Sequence, residues 1–433
     1  MIQSIEKVRG KKCIFVNEFY AIMYQILINI ALPLVKAIGL FSPKIRKGVE
    51  GRNHTFDILK TANITDQKNL WFHCASLGEY EQGLPVFTAI KNKFPNHNLV
   101  LTFFSPSGYE IRKSNPITSI VCYLPLDTKS NAKAFIDIVK PELSVFVKYD
   151  IWPNYINEIH KNNLKVILIS ALFRSNQIYF KSYGKIMTNT IKKFSHIFTQ
   201  NQKSIDLLKK INYSSFSISG DTRFDRVSNQ LLTNNTLDFI EAFKDQKLCV
   251  VFGSSWKEDA ELFIDFINKY PHYKYIIAQH NISKSECGFL SDHISSKTIF
   301  YSNYKKSELK TANCFVIDTI GFLTKIYAYA DISYVGGGMG NSGLHNILEP
   351  AAFGSPIIIG KNYKNFPEAE SLIKMKGVYV VKNKSEFESI ILKFTDDKRF
   401  RDLTSDITKN YIIDNKGATQ HIVDVILKRK FIN

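Results

Sequence analysis

The stretch Val335–Gly360 has the residue types that a phosphate- or nucleotide-binding turn needs. An apolar strand pattern runs into three consecutive glycines and a loop of small residues, and His345–Pro350 follows. Glycines let backbone N–H groups approach a ligand, and a helix that starts after them directs partial positive charge at an anion. Asn346 and Pro350 suit such a helix start. The pattern indicates a nucleotide site at the carboxyl edge of an α/β sheet. A plain βαβ turn, with Glu349 as a capping residue, is the alternative.

A second candidate for chemistry is Glu79, which follows the first strongly apolar strand pattern of the chain. Gly78 predicts a turn there, so Glu79 is expected at a helix start on the ligand-binding edge of the sheet. A carboxylate in that position can act as a general base. Acidic residues also complement the dipole in the first turn of a helix, so the residue alone leaves both roles open.

Two further strand ends carry polar residues. Ser105 begins a Ser-Pro-Ser-Gly turn whose hydroxyls and N–H groups could bind an acceptor or merely cap the next helix. Lys148 and Asp150 end an apolar strand just before Trp-Pro, where charges without a partner are costly. This favours a functional role, in which Lys148 binds an anionic group of a substrate. A structural ion pair between Lys148 and Asp150 is the alternative.

The elements that position these residues are predicted by apolar runs of strand length that alternate with amphipathic stretches. This alternation is typical of parallel sheets covered by helices on both faces. The predicted strands of the first half are Leu70–Ala75, Asn98–Phe104, Ser119–Leu124, Leu143–Lys148, Leu164–Ser170, His196–Gln200 and Phe216–Ser219. Those of the second half are Leu248–Gly253, Tyr273–Gln279, Thr298–Tyr301, Cys314–Asp318, Asp331–Val335, Pro356–Ile359 and Val378–Val381. The predicted helices include Glu79–Lys93, Lys129–Val139, Trp152–Asn162, Gln177–Lys193, Lys257–Lys269, Gly321–Ala328, Phe366–Met375, Ser385–Phe394 and Ala418–Arg429.

The length of 433 residues predicts two domains with appendages rather than one core. A polar run at residues 228–235 marks the boundary. We expect an N-terminal anchor with a basic flank at 1–48, a Rossmann-like domain at 49–228, a second at 229–415 and a C-terminal helix at 416–433. The predicted fold class is α/β, with two Rossmann-like domains facing each other across a cleft.

The formal net charge of +18 favours an anionic partner, such as nucleic acid, acidic lipid or a phosphorylated substrate. No nucleic-acid-binding signature accompanies the charge, so no nucleic-acid partner is expected. The six cysteines show no paired spacing. Cys74, Cys122, Cys249 and Cys314 lie in or beside strand patterns, which predicts reduced core residues in a cytosolic environment.

The segment Phe19–Val35 contains no charged residue and has basic residues on both sides, among them Lys11, Lys12, Lys44 and Lys47. Its length is at the short end for a membrane span. No small-residue cleavage site follows, so a cleaved signal peptide is not expected. The pattern predicts an anchor that spans the membrane or lies in its interface, with its basic flanks on acidic headgroups. A buried helix of a soluble protein is the alternative.

Taken in order along the chain, the motifs resemble those of the Kdo transferases. These enzymes transfer 3-deoxy-D-manno-octulosonic acid (Kdo) from CMP-Kdo to the lipid A precursor in lipopolysaccharide biosynthesis. The resemblance runs nearly end to end and is carried by HCASLGEYEQGLP (73–85), FFSPSGYE (103–110), YLPLD (123–127), WPN (152–154), GDTRFD (220–225) and the runs 318–338, 343–360 and 362–369. It implies a GT-B glycosyltransferase on the cytoplasmic face of the inner membrane, with no metal and no cofactor.

The resemblance also implies roles for single residues. Glu79 matches the catalytic base that deprotonates the acceptor sugar hydroxyl. Arg223, where the family usually has a lysine, would offset charge on the departing CMP phosphate. Asp150 keeps an acidic position of the family and completes the predicted catalytic residues. The predicted substrate- and nucleotide-binding residues are Ser105, Lys148, His280, Ile320, Gly321, Phe322, Gly337, Gly338, Asn346, Ile347, Leu348 and Glu349.

Three positions depart from the family pattern. Gln279 stands where the family has a phosphate-binding arginine, Phe322 where it has a glutamate, and Lys148 where it has an acid. These changes bear on individual contacts with CMP, while the proposed base and the Glu349 segment are intact.

The leading hypothesis is an inverting transfer of Kdo from CMP-Kdo to the lipid A precursor at a membrane of anionic lipid. A GT-B transferase that uses another nucleotide sugar, such as a UDP-sugar, is the alternative among enzymes. A catalytically inactive, membrane-anchored binding protein is the alternative outside them. Retention of Glu79, Arg223 and Glu349 argues against the latter.

Overall fold

The computed structural model describes residues 22–31 and 33–433. Cys13, the basic residues before Phe19 and the beginning of the segment Phe19–Val35 lie outside the described residues. The chain divides into two compact units. The first runs to Arg226 and is completed by Gly417–Asn433, and the second is Val227–Lys416. The C-terminal segment, expected as a separate appendage, therefore belongs to the first unit.

The first unit contains a parallel sheet of seven strands in the order β3-β2-β1-β4-β5-β6-β7. The strands are β1 Asn69–Cys74, β2 Asn98–Phe103, β3 Ile120–Tyr123, β4 Leu143–Val147, β5 Lys165–Ala171, β6 His196–Thr199 and β7 Phe216–Ile218. Its helices are α1 Ile22–Phe41, α2 Pro43–Asn53, α3 Thr55–Thr61, α4 Leu77–Lys93, α5 Pro106–Arg112, α6 Lys129–Val139, α7 Pro153–Lys161, α8 Lys185–Ile191, α9 Gln202–Lys210 and the first part of α10 Thr222–Gln230. All seven strand predictions for this half are confirmed to within one residue.

The second unit contains another parallel sheet of seven strands, in the order β10-β11-β9-β8-β12-β13-β14. The strands are β8 Cys249–Ser255, β9 Lys274–Gln279, β10 Thr298–Phe300, β11 Cys314–Val316, β12 Ile332–Val335, β13 Ile357–Ile359 and β14 Val378–Val380. The helices are α11 Asp238–Lys244, α12 Lys257–Lys269, α13 Lys284–His293, α14 Leu323–Ile326, α15 Leu348–Ala352, α16 Pro367–Lys374, α17 Lys384–Asp396 and α18 Lys398–Asn415, and α19 Ala418–Lys428 follows in the first unit. The seven strand predictions for this half are confirmed to within two residues.

Alternating side chains of the strands bury the two faces of the first sheet in separate cores. Trp71 packs on Phe135 of α6, with ring centroids 4.7 Å apart, on one face. Phe72 stacks on Phe87 of α4 at 4.3 Å on the other face, where Ile426 of α19 also packs. The alternation explains why strands covered on both sides are apolar almost throughout. The four cysteines predicted as reduced core residues are buried free thiols, as expected.

A carboxylate ties the C-terminal helix to the first unit. Asp225 of α10 accepts hydrogen bonds from the N–H groups of Gly417 and Thr419, at 2.6 and 2.8 Å. Both N–H groups lie at the start of α19, where a helix needs acceptors outside itself. The chain therefore returns to the first unit beside α10, the helix in which it leaves that unit.

One helix prediction is wrong, and one long helix was not predicted. The predicted helix Gln177–Lys193 is broken, because the neighbouring residues Tyr179 and Phe180 both pack on Phe173. A regular helix cannot direct residues i and i+1 to the same side. The segment instead forms two 3₁₀ turns and a short helix, at Ile178–Phe180, Ser182–Gly184 and Lys185–Ile191.

The helix that was not predicted is α18. Its buried side chains are Thr404, Thr408 and Ile412. The two threonine hydroxyls donate to backbone carbonyls of the same helix. A helix that packs through threonines lacks the apolar periodicity that reveals an amphipathic helix.

Each sheet has a switch point at the strand that comes first in the chain. β1 lies between β2 and β4, and β8 lies between β9 and β12. Ligands of α/β sheets bind at the carboxyl ends of the strands that flank such a point. In the first unit the flanking strand ends lead to Glu79 and to Lys148–Asp150. In the second unit they lead to Trp256 and to the glycines after Val335.

Within the described residues, α1 is long and apolar enough to cross a membrane. Its outer side chains are exposed, for example Ile26 at 46% and Ile30 at 60%. Near its beginning, the hydroxyl of Tyr24 donates to Asp127 at 2.6 Å. Near its end, Nη2 of Arg46 donates to the carbonyl of Leu40 at 2.6 Å. The helix thus keeps a large apolar surface uncovered while polar contacts hold it to the first unit.

Candidate functional site

Glu79 lies in the first turn of α4, immediately after β1 and the turn that follows it. Its side chain is 8% exposed, and its Oε2 accepts a hydrogen bond from the N–H of Ala75. Burial, and then the negative charge of Asp150, raise the pKa of Glu79 to about 7, against smaller lowering effects of Ala75, His73 and Lys148. At neutral pH a carboxyl with a pKa near 7 is present partly as the carboxylate, and this carboxylate readily accepts a proton. Such a group suits general-base chemistry.

A buried network fixes Asp150 beside this carboxyl. Nε2 of His73 lies 2.6 Å from Oδ2 of Asp150, and Nδ1 of the same ring lies 2.8 Å from the hydroxyl of Thr102. The indole N–H of Trp71 donates to that hydroxyl at 2.8 Å. The network joins β1, β2 and the segment after β4. The sequence analysis missed His73 and Thr102; their signal was polar residues inside strands that are otherwise apolar, where buried polar groups need partners.

Lys148 is the first residue after β4 and lies in the left-handed region, with φ +61°. Its N–H donates to the carbonyl of Ile169 at 2.9 Å. The side chain is half-buried, and its positive charge lowers the pKa of Glu79. Lys148 and Asp150 therefore act on the same carboxyl with opposite signs, which brings together three of the predicted site residues.

Arg223 is held by a carboxylate on the turn before α10. Its Nε and Nη2 both lie 2.8 Å from Oδ2 of Asp221. The other carboxylate oxygen accepts from Nε2 of Gln82 at 2.8 Å. Because Gln82 is on α4, Asp221 fixes the guanidinium of Arg223 relative to the helix that carries Glu79.

Ser105 lies next to the turn of Glu79 through its backbone. Its N–H donates to the carbonyl of Ala75 at 2.7 Å, and Ala75 in turn donates to Glu79. The side-chain oxygen accepts from the N–H of Ser107 at 3.3 Å and so caps α5. This contact corresponds to the capping alternative, and binding of a substrate by the Ser105 hydroxyl stays a prediction.

In the second unit the glycine turn surrounds a carboxylate of the protein itself. Oδ2 of Asp259 accepts from the N–H groups of Gly337 and Trp256, at 2.8 and 2.9 Å. Its Oδ1 accepts from the hydroxyl of Tyr334 at 2.7 Å. Burial raises the pKa of Asp259, and these donors counteract the rise. The N–H of Gly337, expected to face a ligand, is therefore occupied by Asp259.

The glycines at this turn are also required by close backbone packing. Gly337 has φ +87°, and a Cβ there would lie 2.1 Å from the carbonyl oxygen of Gly343. A Cβ on Gly338 would lie 2.9 Å from the backbone N of Gly360. Packing thus accounts for the choice of glycine at both positions, and their contact with a nucleotide stays a prediction.

Glu349 is oriented by two side chains from different segments. Asn346 Nδ2 donates to its Oε1 at 3.1 Å, and the hydroxyl of Thr324 on α14 donates to its Oε2 at 3.1 Å. Asn346 Oδ1 accepts from the N–H of Leu348, at the start of α15. The side chains of Ile347 and Leu348 are buried in the core, at 1% and 0% exposure. Of these four predicted residues, only Asn346 and Glu349 have polar side chains that could contact a ligand. The helix that begins here has only five residues, so its dipole is small.

The predicted segment Ile320–Phe322 leads into α14. Ile320 is 90% exposed, and Gly321 has φ +108°. The ring of Phe322 packs on Phe239 and Tyr301, with centroids 5.4 and 5.0 Å away. Phe322 thus serves the core, where the resemblance implied a carboxylate, while Ile320 is left at the surface.

The ring of His280, which follows β9, stacks on two rings, those of Trp256 after β8 and of His345 in the loop after β12. Its centroid lies 4.6 Å from that of Trp256 and 4.4 Å from that of His345. The indole N–H of Trp256 donates to Nε2 of His345 at 3.0 Å. The sequence analysis did not identify Trp256 or His345 as site residues. An aromatic residue directly after an apolar strand was the available signal.

Comparison with known protein families bears on both units. Residues 50–226 match the family model described as 3-Deoxy-D-manno-octulosonic-acid transferase (kdotransferase). A 3-deoxy-D-manno-octulosonic acid transferase of Haemophilus influenzae is 25% identical over 418 residues, covering 93% of this chain and 97% of the relative. One of Aquifex aeolicus is 26% identical over 337 residues, covering 76% and 85%. These relatives extend the similarity through the second unit.

Comparison with solved structures concerns the fold. The UDP-GlcNAc 2-epimerase of Neisseria meningitidis has a TM-score of 0.60 at 14% identity, covering 83% of this chain and 100% of the other. A glycosyltransferase of Rickettsia africae has a TM-score of 0.55 at 12% identity, covering 83% and 98%. At such identities the likeness shows the fold alone, and it confirms the predicted α/β, GT-B-like class with two Rossmann-like units.

Proposed function

The chain belongs to the Kdo transferase family of glycosyltransferases, and we propose that it moves Kdo from CMP-Kdo onto the lipid A precursor, with inversion at the transferred carbon. The observation that carries the catalytic part is the buried carboxyl of Glu79 beside the switch point of the first sheet, with its pKa raised to about 7. The proposed donor site is the edge of the second sheet, around Asn346 and Glu349.

The proposed reaction is a single displacement. The Glu79 carboxylate takes the proton from an acceptor hydroxyl, and the acceptor oxygen forms a bond to the ketosidic carbon of Kdo. The bond between that carbon and the phosphate oxygen breaks, and its electron pair leaves with CMP. Arg223, oriented by Asp221, would offset the charge on the departing phosphate. The proton ends on Glu79, which its pKa permits at neutral pH.

We also propose that α1 attaches the enzyme to the cytoplasmic face of the inner membrane, where a lipid acceptor resides. Exposed apolar side chains of α1 and the exposed Lys44 and Lys47 that follow it support this, because such a surface fits apolar chains and acidic headgroups together. The buried free thiols agree with a reducing environment.

The test of the transfer is mass spectrometry of lipid A precursor after incubation with enzyme and CMP-Kdo. We expect the acceptor mass to rise by one or more Kdo units and CMP to be released. UDP-sugars serve as the control donors, and release of UDP with one of them would contradict the proposed donor. Absence of release with every donor would favour an inactive binding protein.

The test of the attachment is vesicle sedimentation. Deleting residues 1–42 is expected to release the protein from vesicles of anionic lipid and to leave both units folded, since each has its own core. A matched variant, Ile26→Asp with Ile30→Asp, keeps the chain length and removes apolar character from the exposed face. If the truncated protein still sediments at high salt, which screens basic patches, the attachment surface lies elsewhere.

A further inference from the structure

The carboxylate of Asp127 lies where α1 meets the rest of the first unit. Asp127 follows β3 and is 1% exposed. Its Oδ2 accepts a hydrogen bond from the hydroxyl of Tyr24 on α1 at 2.6 Å. The same oxygen accepts from the N–H of Asn154 at 3.1 Å, and Oδ1 accepts from the N–H of Tyr155 at 3.1 Å. One buried carboxylate therefore joins α1 to the start of α7.

The start of α7 depends on this carboxylate. Trp152 occupies the position before the helix, and an indole has no acceptor for helix N–H groups. Pro153, the first helical residue, has no N–H to satisfy. The N–H groups of Asn154 and Tyr155 are therefore the first that need acceptors outside the helix. Asp127 supplies both acceptors, and its negative charge is also favourable at a helix start.

A second contact binds α1 to the same place. Nε2 of Gln25 donates to Oδ1 of Asn154 at 2.7 Å. Asn154 is 5% exposed, and its Nδ2 donates to the backbone carbonyl of Asp127. Two neighbouring residues of α1 thus hold the loop after β3 and the first turn of α7 together. Attachment to a membrane needs apolar surface and does not need these polar contacts, so they serve the first unit itself.

The segment that ends at this helix start carries the groups beside Glu79. The indole Nε1 of Trp152 lies 3.2 Å from Nε2 of His73, and the same imidazole nitrogen lies 2.6 Å from Oδ2 of Asp150. Because Asp150 precedes Trp152 by two residues, a shift of the helix start moves both groups relative to His73. Burial, and then the negative charge of Asp150, raise the pKa of Glu79. The position of the first turn of α7 therefore influences the proposed base.

The hydroxyl of Tyr24 helps to keep Asp127 in its charged form. Burial raises the pKa of Asp127 to about 6, and the hydrogen bond from Tyr24 is the largest of the effects that lower it. The N–H groups of Asn154 and Tyr155 act in the same direction, while the charge of Asp150 opposes them. Without the Tyr24 donor, the pKa of Asp127 rises towards neutral pH. A protonated carboxyl accepts less well from the two N–H groups, so the start of α7 is held less firmly.

We propose that α1 has a role beyond membrane attachment: Tyr24, through Asp127, holds the start of α7 and so positions Asp150 beside the base. This rests on the proposed function, in which Glu79 is that base. Tyr24 and Asp127 are positioning residues, since they act through the segment before α7 and do not contact a substrate. Turnover then depends on a seated α1 even when both substrates are dispersed in detergent and no membrane is present.

The test is steady-state kinetics of the full chain in detergent micelles with CMP-Kdo and dispersed lipid A precursor, so that membrane attachment does not limit the rate. Tyr24→Phe removes only the hydroxyl, and we expect kcat to fall about tenfold with little change in the Michaelis constant for CMP-Kdo. The pH at which kcat/KM is half-maximal should fall by several tenths of a unit, because a displaced Asp150 raises the pKa of Glu79 less. Tyr183→Phe, at an exposed tyrosine, is the matched control and should behave as the parent does.

Hydrogen exchange of the N–H groups of Asp150 and Asn154 gives a second readout that needs no activity. Tyr24→Phe should speed both exchanges. Ile26→Asp with Ile30→Asp changes the exposed face of α1 and should leave both as in the parent, although it weakens vesicle binding. An unchanged pH profile in Tyr24→Phe, with or without a lower kcat, overturns the proposal. If the parent transfers no Kdo, the proposed function fails and the exchange decides: faster exchange in Tyr24→Phe alone supports the positioning, and equal exchange in all variants overturns it.

Discussion

The carboxyl edges of the two sheets share a geometry and differ in chemistry. In each, the first strand of the sheet is flanked by its successor and by a later strand, which opens a crevice at the switch point. The edge of the first sheet gathers titratable groups around a buried acid. The edge of the second gathers aromatic rings and glycines. One backbone architecture thus carries the proposed proton-transfer site in one unit and the proposed donor site in the other, so the site residues and not the fold decide the function.

The comparison is sharpest for two buried carboxyls, Glu79 and Asp259. Burial raises the pKa of both. Glu79 accepts one N–H bond, from Ala75, and faces the negative charge of Asp150. Asp259 accepts two N–H bonds and one from the hydroxyl of Tyr334. Donors stabilise a carboxylate and a neighbouring anion destabilises it. We infer that Asp259 has a structural role inside the glycine turn, whereas Glu79 is the group proposed to exchange a proton.

The largest expected effect is on turnover. Glu79→Gln keeps the size of the side chain and an oxygen for Ala75, and removes the base. We expect kcat to fall roughly 10²–10⁴-fold while the fold survives, measured with CMP-Kdo and lipid A precursor. Glu81→Gln is the control on the same helix, since Glu81 pairs with Arg112 and Arg226. Near-normal turnover in Glu79→Gln would move the base elsewhere, with Glu81 the first alternative.

The same variant has an expected signature in stability. A raised pKa means that the folded chain binds the proton of Glu79 more tightly than the unfolded chain does. The free energy of unfolding is therefore reduced as the pH rises from the ordinary value of 4.5 through about 7. Glu79→Gln should be more stable than the parent at about pH 8.5 and equal to it at about pH 4, measured by denaturant unfolding. Lower stability of the variant at the higher pH would contradict the raised pKa.

A smaller effect is expected for nucleotide affinity at the second edge. Glu349→Ala removes the carboxylate that Asn346 and Thr324 orient, and should weaken binding of CMP about tenfold by calorimetry. Thr324→Val, which removes one orienting bond and keeps the carboxylate, should have a smaller effect. Glu79→Gln should leave CMP affinity nearly unchanged. If Glu349→Ala binds CMP as the parent does, Glu349 has only its capping role.

The central strands could be predicted from the sequence because they are buried on both faces. In β1, for example, Trp71 and Phe72 fill opposite cores, so the apolar run is continuous and its ends are visible. The helix α18 packs through Thr404 and Thr408, and its periodicity is correspondingly absent. Element type was thus predictable where burial is apolar.

The site was predictable only in part, because its geometry depends on residues far apart in the chain. Glu79 and Glu349 could be identified from motifs at strand ends. The contact between His73 and Asp150 joins positions 77 residues apart, and that between Trp256 and His345 joins positions 89 apart. No local pattern encodes such pairs. The hydrogen bond from the Gly337 N–H to Asp259 is also a tertiary contact. From the motif alone, this N–H was expected to bind a ligand.

The smallest expected effect concerns Lys148, whose charge opposes that of Asp150 at Glu79. Removing the lysine should raise the pKa of Glu79 further, since its lowering effect is lost. A long side chain should be kept so that the variant removes the charge and leaves the packing of the half-buried stem in place. Lys148→Gln is therefore the informative neutral variant, and Lys165→Gln, at the amino end of β5, is the matched control.

In Lys148→Gln, the pH at which kcat/KM reaches half of its maximum should rise by several tenths of a unit, and in Lys148→Glu by more. The direction follows from the base: a higher pKa leaves less carboxylate at a given pH. If Lys148 also binds an anionic group of a substrate, the Michaelis constant rises as well, and more in Lys148→Glu because the new charge repels that group. A shifted pH profile with an unchanged Michaelis constant would limit Lys148 to tuning the base. A Lys148→Glu enzyme with the pH profile and activity of the parent would show that the position accepts either sign, and that the charge at the end of β4 does not influence Glu79.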